Sequence, residues 1–407
     1  FLIMDCENKF REFISANANA DTAALRLKYA GRDCGFDMAS ALLQIDARRK
    51  FATKLPDTLA AFPGFMFPGM LAGEQCTSDA LAAYHSSLVP QGGSVADLTA
   101  GLGIDALHMA SRATQVVAVE RDAVLADTLR HNAAGLKADN LEAVCDDCRH
   151  FVQECVERGR HFDVVFIDPA RRGQDGKRVF ALADCEPDVV SMLPQIRSIC
   201  RMLIVKASPM LDISATIEAL ENPKAAIVLA TPTECKELLM LVPFDSEQSG
   251  ETMIEAVTVH GRTANTFAFT RRIEAAAASP ATSPAIKAGN YIAEPSPAIM
   301  KAAPFKLLCE RYSLRGFSNN TKLFFSDSPT DGFPGLYHRV IEVLPYSSSV
   351  IKTLARRYPI AEVAARNFGM SAEALRGRLK VRDGDAGVRI YGVTAANGDR
   401  LLIVTEK

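Results

Sequence analysis

The chain has 407 residues, of which 48% are hydrophobic and 23% are charged, and this balance excludes a disordered or fibrous protein. The length predicts two to four globular domains. No apolar run reaches the roughly 18 residues of a membrane-spanning helix, and the apolar start FLIM is too short for a signal peptide, so we expect a cytoplasmic protein without a membrane partner.

The formal net charge of −2 is unevenly distributed along the chain. Residues 301–407 contain 17 Lys and Arg against 10 Asp and Glu, an excess of 7 positive charges, so the other residues carry −9. A basic end on an acidic body is typical of proteins that bind a polyanion such as RNA, although an ordinary solvated surface has the same signature.

The ten cysteines have no spacing typical of a disulfide scaffold, so we expect reduced thiols. Cys145 and Cys148 have C-x-x-C spacing, but no second pair and no histidine at ligand spacing lies nearby. We therefore predict no metal site, and interpret the pair as packing at a strand end.

Residues 1–72 form the first predicted region, which is helical. Apolar residues in the segments 22–31 and 38–56 recur at spacings of three and four, as on one face of a helix. Proline and glycine in FPGFMFPG, residues 62–69, end this region. We expect these helices to pack on the domain that follows.

Residues 73–273 form the second predicted region, an α/β domain. Apolar strand patterns alternate with helical patterns, which predicts a Rossmann-like, doubly wound sheet of parallel strands. Ligands of such sheets bind at the carboxyl ends of the strands. The predicted strands are residues 93–100, 115–122, 141–148, 162–170, 201–210, 224–232, 236–244, 255–262 and 266–272.

The third predicted region is a pair of small α+β domains, 285–328 and 329–407, that follow a linker rich in Ala, Ser and Pro at 274–290. Residues 295–312 resemble one helix, and 360–368 are helical or mixed. The last 20 residues predict a β-hairpin that turns at Asn397-Gly398, a strong hairpin signal.

The stretch VADLTAGLGID carries the first ligand-binding signal. Its strand ends at Asp97, and Thr99, Ala100, Gly101 and Gly103 follow, where glycine lets the backbone approach a ligand closely. Glu120 ends the next strand, 17 residues past Gly103. A carboxylate there can accept hydrogen bonds from both hydroxyls of a ribose.

The acid at Asp97 helps to identify the ligand. A carboxylate beside the glycines repels the pyrophosphate of a dinucleotide, which disfavours an NAD-dependent enzyme. The same carboxylate suits the α-ammonium group of S-adenosylmethionine, which has a ribose and an adenine but no phosphate. A third acid, Asp146 or Asp147, follows the third strand and could accept a hydrogen bond from the adenine amino group.

The motifs DLTAGLGID, VVAVERD, VCDDC and FDVVFIDPARR resemble those of class I S-adenosylmethionine-dependent methyltransferases. With EQCTSDALAAYHSSL, KASPMLDI, YIAEPSPAIMKA and RNFGMSAEALRGRLKV, the chain is similar over nearly its whole length to a bacterial methyltransferase family that has a C-terminal THUMP-like domain and, in some members, a small ferredoxin-like segment before it. The resemblance implies structured RNA, either tRNA or rRNA, as substrate. It also implies a cofactor pocket lined by Thr77, Asp97, Thr99, Gly101, Gly103, Glu120 and Asp147, to which we add Ala100, Asp105 and Asp146 as candidates.

The sequence IDPARR, residues 167–172, follows the fourth strand, where class I enzymes place the methyl acceptor. Asp168 could orient or deprotonate the acceptor, and Pro169 would stiffen the turn. Arg171 and Arg172 could hold a phosphate or stack on a base. Lys206 and Ser208, after the fifth strand, are further catalytic candidates, or else a solvated lysine and a helix cap.

This motif departs from two related patterns. Enzymes that methylate base nitrogens resemble D/N-P-P-aromatic, whereas this chain has Ala170 and Arg171. The DP-x-R form is closer to uridine C5 methyltransferases, which need a cysteine after the fifth strand, where this chain has Ala207. We therefore predict direct methyl transfer without a cysteine nucleophile.

The C-terminal basic residues Arg366, Arg376, Arg378 and Lys380 are candidate RNA contacts. Arg376 and Lys380 are expected to share one face of a helix that Ser371 caps. Two alternatives to an RNA methyltransferase stay open: a small-molecule or protein methyltransferase, and a catalytically weak RNA-binding protein that keeps a cofactor pocket.

Overall fold

The computed structural model describes residues 2–171, 181–221, 223–244, 250–282 and 285–406. They form two compact units. Unit 1 comprises Phe1–Ala226, Leu238–Gly250 and Val259–Thr263, and unit 2 comprises Ile227–Glu237, Glu251–Thr258 and Ala264–Lys407. The candidate site described below lies in unit 1.

Among the described residues, six helices open unit 1, so the helical region that the apolar spacing predicts is present. The side chains of Asp21 and Asp37 accept hydrogen bonds from backbone nitrogens at the starts of the second and third helices, which is why those helices begin there. Their bounds are α1 Leu2–Ala16, α2 Thr22–Lys28, α3 Met38–Phe51, α4 Pro56–Ala61, α5 Met70–Gln75 and α6 Asp79–Ser87.

The helical region packs on the next segment of unit 1. Phe65 and Phe67 are fully buried in one apolar cluster with Leu102 and Ile104, which flank the second glycine of the GLG turn. Asp79, which is 2% exposed, accepts hydrogen bonds from the backbone nitrogens at the start of α4. The expected packing of this region on the following domain is thus present within unit 1.

The alternating part of the chain follows. Its strands are apolar on both faces, as the burial of every residue in the segment Val164–Ile167 illustrates, and this suits a sheet covered on both sides. The elements are β1 Ser94–Asp97, α7 Ile104–Ala110, β2 Gln115–Glu120, α8 Ala123–Gly135, β3 Leu141–Cys145, α9 Cys148–Arg158, β4 Phe162–Ile167, β5 Ala170–Arg171, β6 Cys185–Glu186, α10 Val189–Ile199, β7 Cys200–Ala207, α11 Ile213–Ala219, β8 Ala225–Ala230 and β9 Cys235–Pro243.

Within unit 1 the strands run in the order β9-β7-β4-β1-β2-β3. Neighbours from β7 to β3 are parallel, and β9 is antiparallel to β7. The predicted Rossmann-like α/β fold is therefore confirmed. The strand order reverses at β1, between β4 and β2, and the crevice at such a switch point is where these folds bind ligands.

The elements after β9 are β10 Met253–His260, β11 Thr263–Phe269, α12 Arg271–Ala276, β12 Tyr291–Pro295, α13 Pro297–Ala302, α14 Phe305–Arg311, β13 Arg315–Gly316, β14 Phe324–Ser326, β15 Gly335–Pro345, α15 Ser348–Arg357, β16 Glu362–Arg366, α16 Ala372–Leu379, β17 Val388–Thr394 and β18 Arg400–Glu406. Unit 2 contains a sheet of seven strands in the order β13-β14-β12-β15-β18-β17-β16, in which only β16 and β17 are parallel among the paired strands of the described residues.

Three expectations for this half of the chain need correction. The single helix predicted over residues 295–312 is two helices, because Pro304 cannot donate a helical hydrogen bond and disfavours helical backbone at Ala303. Residues 362–366 form the strand β16. The predicted linker begins inside α12, where Glu274 accepts hydrogen bonds from the first residues of α14. The C-terminal hairpin is confirmed as β17 and β18.

Among the described residues, no helix combines the length and the apolar character that crossing a membrane requires.

Candidate active site

A cavity of about 570 Å³ lies at the carboxyl ends of the central strands of unit 1. It is formed by the turns that follow β1, β2, β3 and β4, together with α5 and the end of β7. The lining residues are Ala72, Gln75, Cys76, Thr77, Leu98, Thr99, Ala100, Gly101, Leu102, Gly103, Ile104, Asp105, Val119, Glu120, Arg121, Leu125, Asp146, Asp147, Cys148, Arg149, Asp168, Ala170, Glu186, Pro187 and Lys206.

The two glycines after β1 have different roles. Both have positive φ, +56° at Gly101 and +84° at Gly103, which side chains disfavour. A Cβ added at Gly101 would meet no atom within 4 Å, so this residue faces open space. A Cβ at Gly103 would lie 2.2 Å from Cδ1 of Leu129. Gly101 therefore leaves room at the cavity, and Gly103 is required by packing.

Glu120 is held by the backbone on both oxygens. Gly101 N donates to Oε2 across 2.8 Å, and Asp122 N donates to Oε1 across 2.8 Å. Each carboxylate oxygen has two lone pairs, so both can accept a second hydrogen bond. The side chain thus presents a fixed pair of acceptors at the cavity.

Asp97, at the end of β1, is only 1% exposed, is not among the lining residues and accepts a hydrogen bond from Thr99 N at 3.1 Å. Burial, followed by the negative charge of Asp105, raises the pKa of Asp97 to about 8. Its carboxyl is therefore largely protonated at neutral pH, and a cation brought close to it would favour ionisation.

Asp105 is the centre of a buried polar network. It accepts hydrogen bonds from Thr77 Oγ1 at 2.5 Å and from His85 Nδ1 at 2.7 Å, and Lys206 Nζ lies 3.9 Å away. Burial alone would raise the pKa of Asp105, but the charges of His85 and Lys206 and these hydrogen bonds outweigh it and hold the pKa well below its usual range. Asp105 is thus ionised and already satisfied by protein groups.

Lys206, at the end of β7, joins this network to the turn after β4. Its ammonium donates to Thr77 Oγ1 at 2.9 Å and to Asp168 Oδ2 at 2.6 Å, and the residue is 9% exposed. Asp168 N in turn donates to Thr99 Oγ1 at 2.7 Å. Lys206 and Asp168, proposed from sequence as catalytic candidates, therefore contact each other at the cavity.

Two of the other residues proposed from sequence for the reaction site, Pro169 and Ser208, are not among the residues that line the cavity. Pro169 is buried, and Ala170 and Arg171 pair with Cys185 and Glu186 in a two-stranded ribbon. Ser208 Oγ accepts a hydrogen bond from Met210 N. Arg172 lies outside the described residues.

The acids after β3 line the cavity but have protein partners. Asp147 caps α9 and accepts hydrogen bonds from the Arg149 guanidinium, which hold the pKa of Asp147 below its usual value. Arg149 also donates to Glu186 at 2.6 Å. Asp146 accepts from Asp147 N at 2.8 Å and lies 2.7 Å from His150 Nδ1. Either acid has oxygen lone pairs that could accept from an adenine amino group.

Several cavity residues are absent from the sequence-based set, among them Gln75, Arg149 and Glu186. Of these three, only Arg149 could have been suggested by the local sequence. A basic side chain two positions after a helix-capping aspartate can donate a hydrogen bond to that aspartate, as Arg149 does to Asp147. His85 reaches Asp105 only through the packing of α6 on α7, which no local pattern reveals.

Cys148 of the C-x-x-C pair lines the cavity. Burial, followed by the charge of Asp147, raises the pKa of Cys148 to about 11, so this thiol stays protonated at neutral pH. In the described part of the chain, no three His, Cys, Asp or Glu side chains are grouped so that they could hold a metal ion.

Three of the basic candidates in unit 2 have different partners within the protein. Arg366 pairs with Glu294 at 2.9 Å, Arg376 pairs with Asp383 at 2.7 Å, and Arg378 donates to Tyr346 Oη at 3.3 Å. Ser371 caps α16 as expected, but α16 ends at Leu379, and Lys380 has a φ of +55° beyond it. The expectation that Arg376 and Lys380 share a helix face is therefore wrong, because the chain leaves the helix first.

Three sequence families match parts of the chain. Residues 80–183 match a family described as conserved hypothetical protein 95. Residues 291–334 match a ferredoxin-like domain, and residues 335–407 match a THUMP domain-like family.

One solved structure, a proposed methyltransferase from Porphyromonas gingivalis W83, is 29% identical and has a TM-score of 0.84, covering 98% of this chain and 97% of that chain. An uncharacterised RNA methyltransferase from Clostridium tetani (strain Massachusetts / E88) is 27% identical over 96 residues, which are 24% of this chain and 21% of that protein.

The ribosomal RNA small subunit methyltransferase J of Acinetobacter baylyi (strain ATCC 33305 / BD413 / ADP1) is 35% identical over 86 residues, 19% of this chain and 31% of that protein. The chain thus spans between a fifth and a third of the length of these curated relatives. Together the comparisons confirm the predicted resemblance to methyltransferases and the THUMP-like C-terminus.

Proposed function

We propose that this chain, with its methyltransferase-like fold and THUMP-like C-terminus, is an S-adenosylmethionine-dependent methyltransferase that acts on RNA. The observation that carries the proposal is the position of Glu120, which presents two fixed acceptor oxygens beside the open face of Gly101. The methyl group is transferred directly to the acceptor, without a cysteine nucleophile, because Ala207 ends β7.

The acidic residues of the cavity provide hydrogen-bond acceptors that fit this methyl donor. Glu120 would accept hydrogen bonds from the two ribose hydroxyls, and Asp146 or Asp147 would accept from the adenine amino group. Asp97, buried and largely protonated, would ionise beside the α-ammonium group. The donor supplies a methyl group bonded to a positively charged sulfur. Thr77, Thr99, Ala100, Gly103 and Asp105 would complete the pocket.

The reaction itself needs positioning more than acid–base chemistry, because the sulfur is already a good leaving group. Asp168, which Lys206 and the Thr99 hydroxyl hold in place, would orient the acceptor at the cavity. Pro169 fixes the turn that carries it. Arg171, Arg172 and Ser208 stay candidates for contacts with the substrate.

RNA is the proposed substrate class, as structured tRNA or rRNA. The THUMP-like match at residues 335–407, the excess of 7 positive charges over residues 301–407 and the RNA methyltransferase names of two partial relatives support it. Arg366, Arg376, Arg378 and Lys380 are the proposed contacts with phosphate.

Transfer of a tritiated methyl group from S-adenosylmethionine tests the proposal. The full chain is incubated with total RNA from cells that lack the gene, and in parallel with protein and small-molecule extracts from the same cells. We expect label in RNA and its loss in Glu120→Gln. Label only in protein or metabolites would replace RNA with another acceptor, and tight cofactor binding with no transfer would indicate a non-catalytic RNA-binding protein.

A further inference from the structure

We infer that the methyl acceptor is a ribose 2′-hydroxyl of RNA, with Asp168 as its proton acceptor and Lys206 as the positioning residue that selects oxygen over nitrogen. This inference rests on the proposed function. It is carried by one contact, the 2.6 Å hydrogen bond from Lys206 Nζ to Asp168 Oδ2 at the cavity.

The ammonium of Lys206 is fixed rather than mobile. It is 9% exposed, donates to Thr77 Oγ1 at 2.9 Å and lies 3.9 Å from the ionised Asp105. Thr77 itself is tied to Asp105, and Asp105 to His85, so the group has support on several sides. A solvated lysine, the alternative from sequence, would have none of these contacts.

A fixed positive charge discriminates between two kinds of acceptor. A hydroxyl oxygen gains negative character as it gives up its proton, and a neighbouring ammonium stabilises that charge. An amine nitrogen gains positive charge as its bond to carbon forms, and the same ammonium opposes it. The Lys206–Asp168 pair therefore favours a hydroxyl acceptor.

Asp168 supplies the proton acceptor that such a reaction needs. The acceptor oxygen bonds to the methyl carbon as the carbon–sulfur bond breaks, and the sulfur keeps the bonding electron pair and becomes neutral. The hydroxyl proton passes to the Asp168 carboxylate and then to solvent. As the proton moves to Asp168, this carboxylate offsets less of the charge of Lys206, and the ammonium stabilises the oxygen before its bond to carbon is complete.

RNA offers a specific hydroxyl of this kind. Every nucleotide inside an RNA strand carries a 2′-hydroxyl, and this group both donates and accepts hydrogen bonds. The side chain of Asp168 is 41% exposed, so it is accessible to a ribose that enters the cavity from the solvent side.

The product identifies the acceptor. Total RNA from cells lacking the gene is treated with the full chain and labelled S-adenosylmethionine, digested to nucleosides and analysed by mass spectrometry, which places the added methyl on sugar or base. We expect it on the ribose, in alkali-resistant linkages. A methyl on a base overturns this inference and leaves the RNA methyltransferase standing. No label in RNA, with S-adenosylhomocysteine still bound, overturns both.

Three variants test the roles of the two residues. We expect Asp168→Asn and Lys206→Gln each to lower kcat about 100-fold, with KM changed little. Lys206→Arg keeps the positive charge, so its kcat should be about tenfold higher than that of Lys206→Gln. The matched control is Lys236→Gln, which removes a lysine that pairs with Glu234 and should leave kcat unchanged. Loss of thermal stability in Lys206→Gln with an unchanged kcat would overturn the positioning role.

A binding measurement separates these roles from activity. Sinefungin carries an ammonium where the donor carries its methyl group, whereas S-adenosylhomocysteine carries nothing there. Asp168→Asn should weaken sinefungin about tenfold relative to S-adenosylhomocysteine, because a carboxylate near that position attracts the ammonium. Lys206→Gln should strengthen sinefungin relative to S-adenosylhomocysteine. An equal change for both ligands in both variants would contradict the assigned geometry.

Discussion

The backbone nitrogen of Gly101 donates a hydrogen bond to Oε2 of Glu120 across 2.8 Å. This bond fixes the carboxylate at the end of β2 relative to the turn after β1. Glutamine at position 120 keeps the size of the side chain but replaces one acceptor oxygen with an amide donor. We expect Glu120→Gln to weaken S-adenosylhomocysteine binding about 10- to 100-fold, since hydrogen bonds to charged groups contribute about 1.5–3 kcal/mol. Calorimetric titration measures the change.

Glu142→Gln is the matched control for this variant. Glu142 lies on β3, is exposed and has Arg160 at 3.8 Å, so its replacement should leave the affinity unchanged. A similar loss of affinity in both variants would argue against a ligand-binding role for Glu120.

The two cavity glycines should respond differently to alanine. Gly101→Ala should lower the free energy of unfolding by about 1 kcal/mol, because only the positive φ is strained, and should also reduce cofactor affinity. Gly103→Ala should cost about 3 kcal/mol, because the new Cβ also collides with Leu129. Urea unfolding and calorimetric titration of both variants measure these effects.

Gly159 provides a control with the same backbone strain. It has a φ of +66°, ends α9 and has no atom within 4 Å of an added Cβ. Gly159→Ala should therefore lose about as much stability as Gly101→Ala while keeping its affinity. If Gly101→Ala also kept full affinity, its place in the pocket would be wrong.

Asp97 should make folding stability depend on pH. Burial, followed by the charge of Asp105, raises the pKa of Asp97 to about 8 in the folded chain, whereas an aspartate in an unfolded chain titrates near 3.9. Between about pH 4 and about pH 8 only the unfolded chain ionises, so the carboxyl lowers folding stability progressively as pH rises through that range.

Asp97→Asn removes this penalty because an amide does not ionise. Relative to the unmodified chain, its free energy of unfolding should rise from about pH 4, by up to about 1.4 kcal/mol per pH unit, and level off near pH 8. Urea unfolding of both chains across this range gives the difference. A difference that stays constant with pH would show that Asp97 does not titrate as described.

The same carboxyl should release a proton when a ligand with an α-ammonium group binds. Binding of S-adenosylhomocysteine near pH 7 should liberate up to about one proton from Asp97, since a nearby cation favours the ionised form. Calorimetry in two buffers of different ionisation enthalpy measures it, and Asp97→Asn should abolish it. Equal proton release by both chains would place the ammonium elsewhere.

Substitutions in unit 2 should separate RNA contact from stability. The double variant Arg378→Gln/Lys380→Gln should weaken RNA binding whatever the RNA sequence. The slope of log affinity against log salt concentration should become shallower by about 1 for each lost phosphate contact. Filter binding over a salt series measures both. Arg366→Gln should weaken RNA binding and also lower stability, because it additionally breaks the ion pair with Glu294.

Cofactor affinity is the internal control for these unit 2 variants, and it should not change. An unaltered RNA affinity and salt slope in the double variant would remove Arg378 and Lys380 from the proposed interface.

Local patterns predict much of the α/β fold, because each buried strand is a short apolar run that ends in a turn. Asp97, Glu120 and Asp147 follow successive strands, so parallel pairing alone places them at one edge of the sheet. The direction of β9 was not predictable in this way, since an apolar run has the same appearance in parallel and antiparallel pairs.

The polar network around Asp105 could not be derived from sequence. Thr77 and Lys206 are 129 residues apart, and only the packing of α6, α7 and β7 brings their side chains within 2.9 Å. Lys380 illustrates a different failure. Its spacing of four from Arg376 suits one helix face, but the spacing does not reveal that α16 ends at Leu379. Spacing is informative only while the element continues.

The apolar cluster of Phe65, Phe67, Leu102 and Ile104 also shows how much of the chain the GLG turn needs for its packing. The segment that matches the conserved hypothetical protein 95 family starts at residue 80. Phe65 and Phe67, which pack against the GLG turn, lie before that residue. A fragment that began at that boundary would expose Leu102 and Ile104 to water. Tolerance to substitution at Phe65 should therefore follow that of Gly103 rather than that of the exposed helix surface beside it.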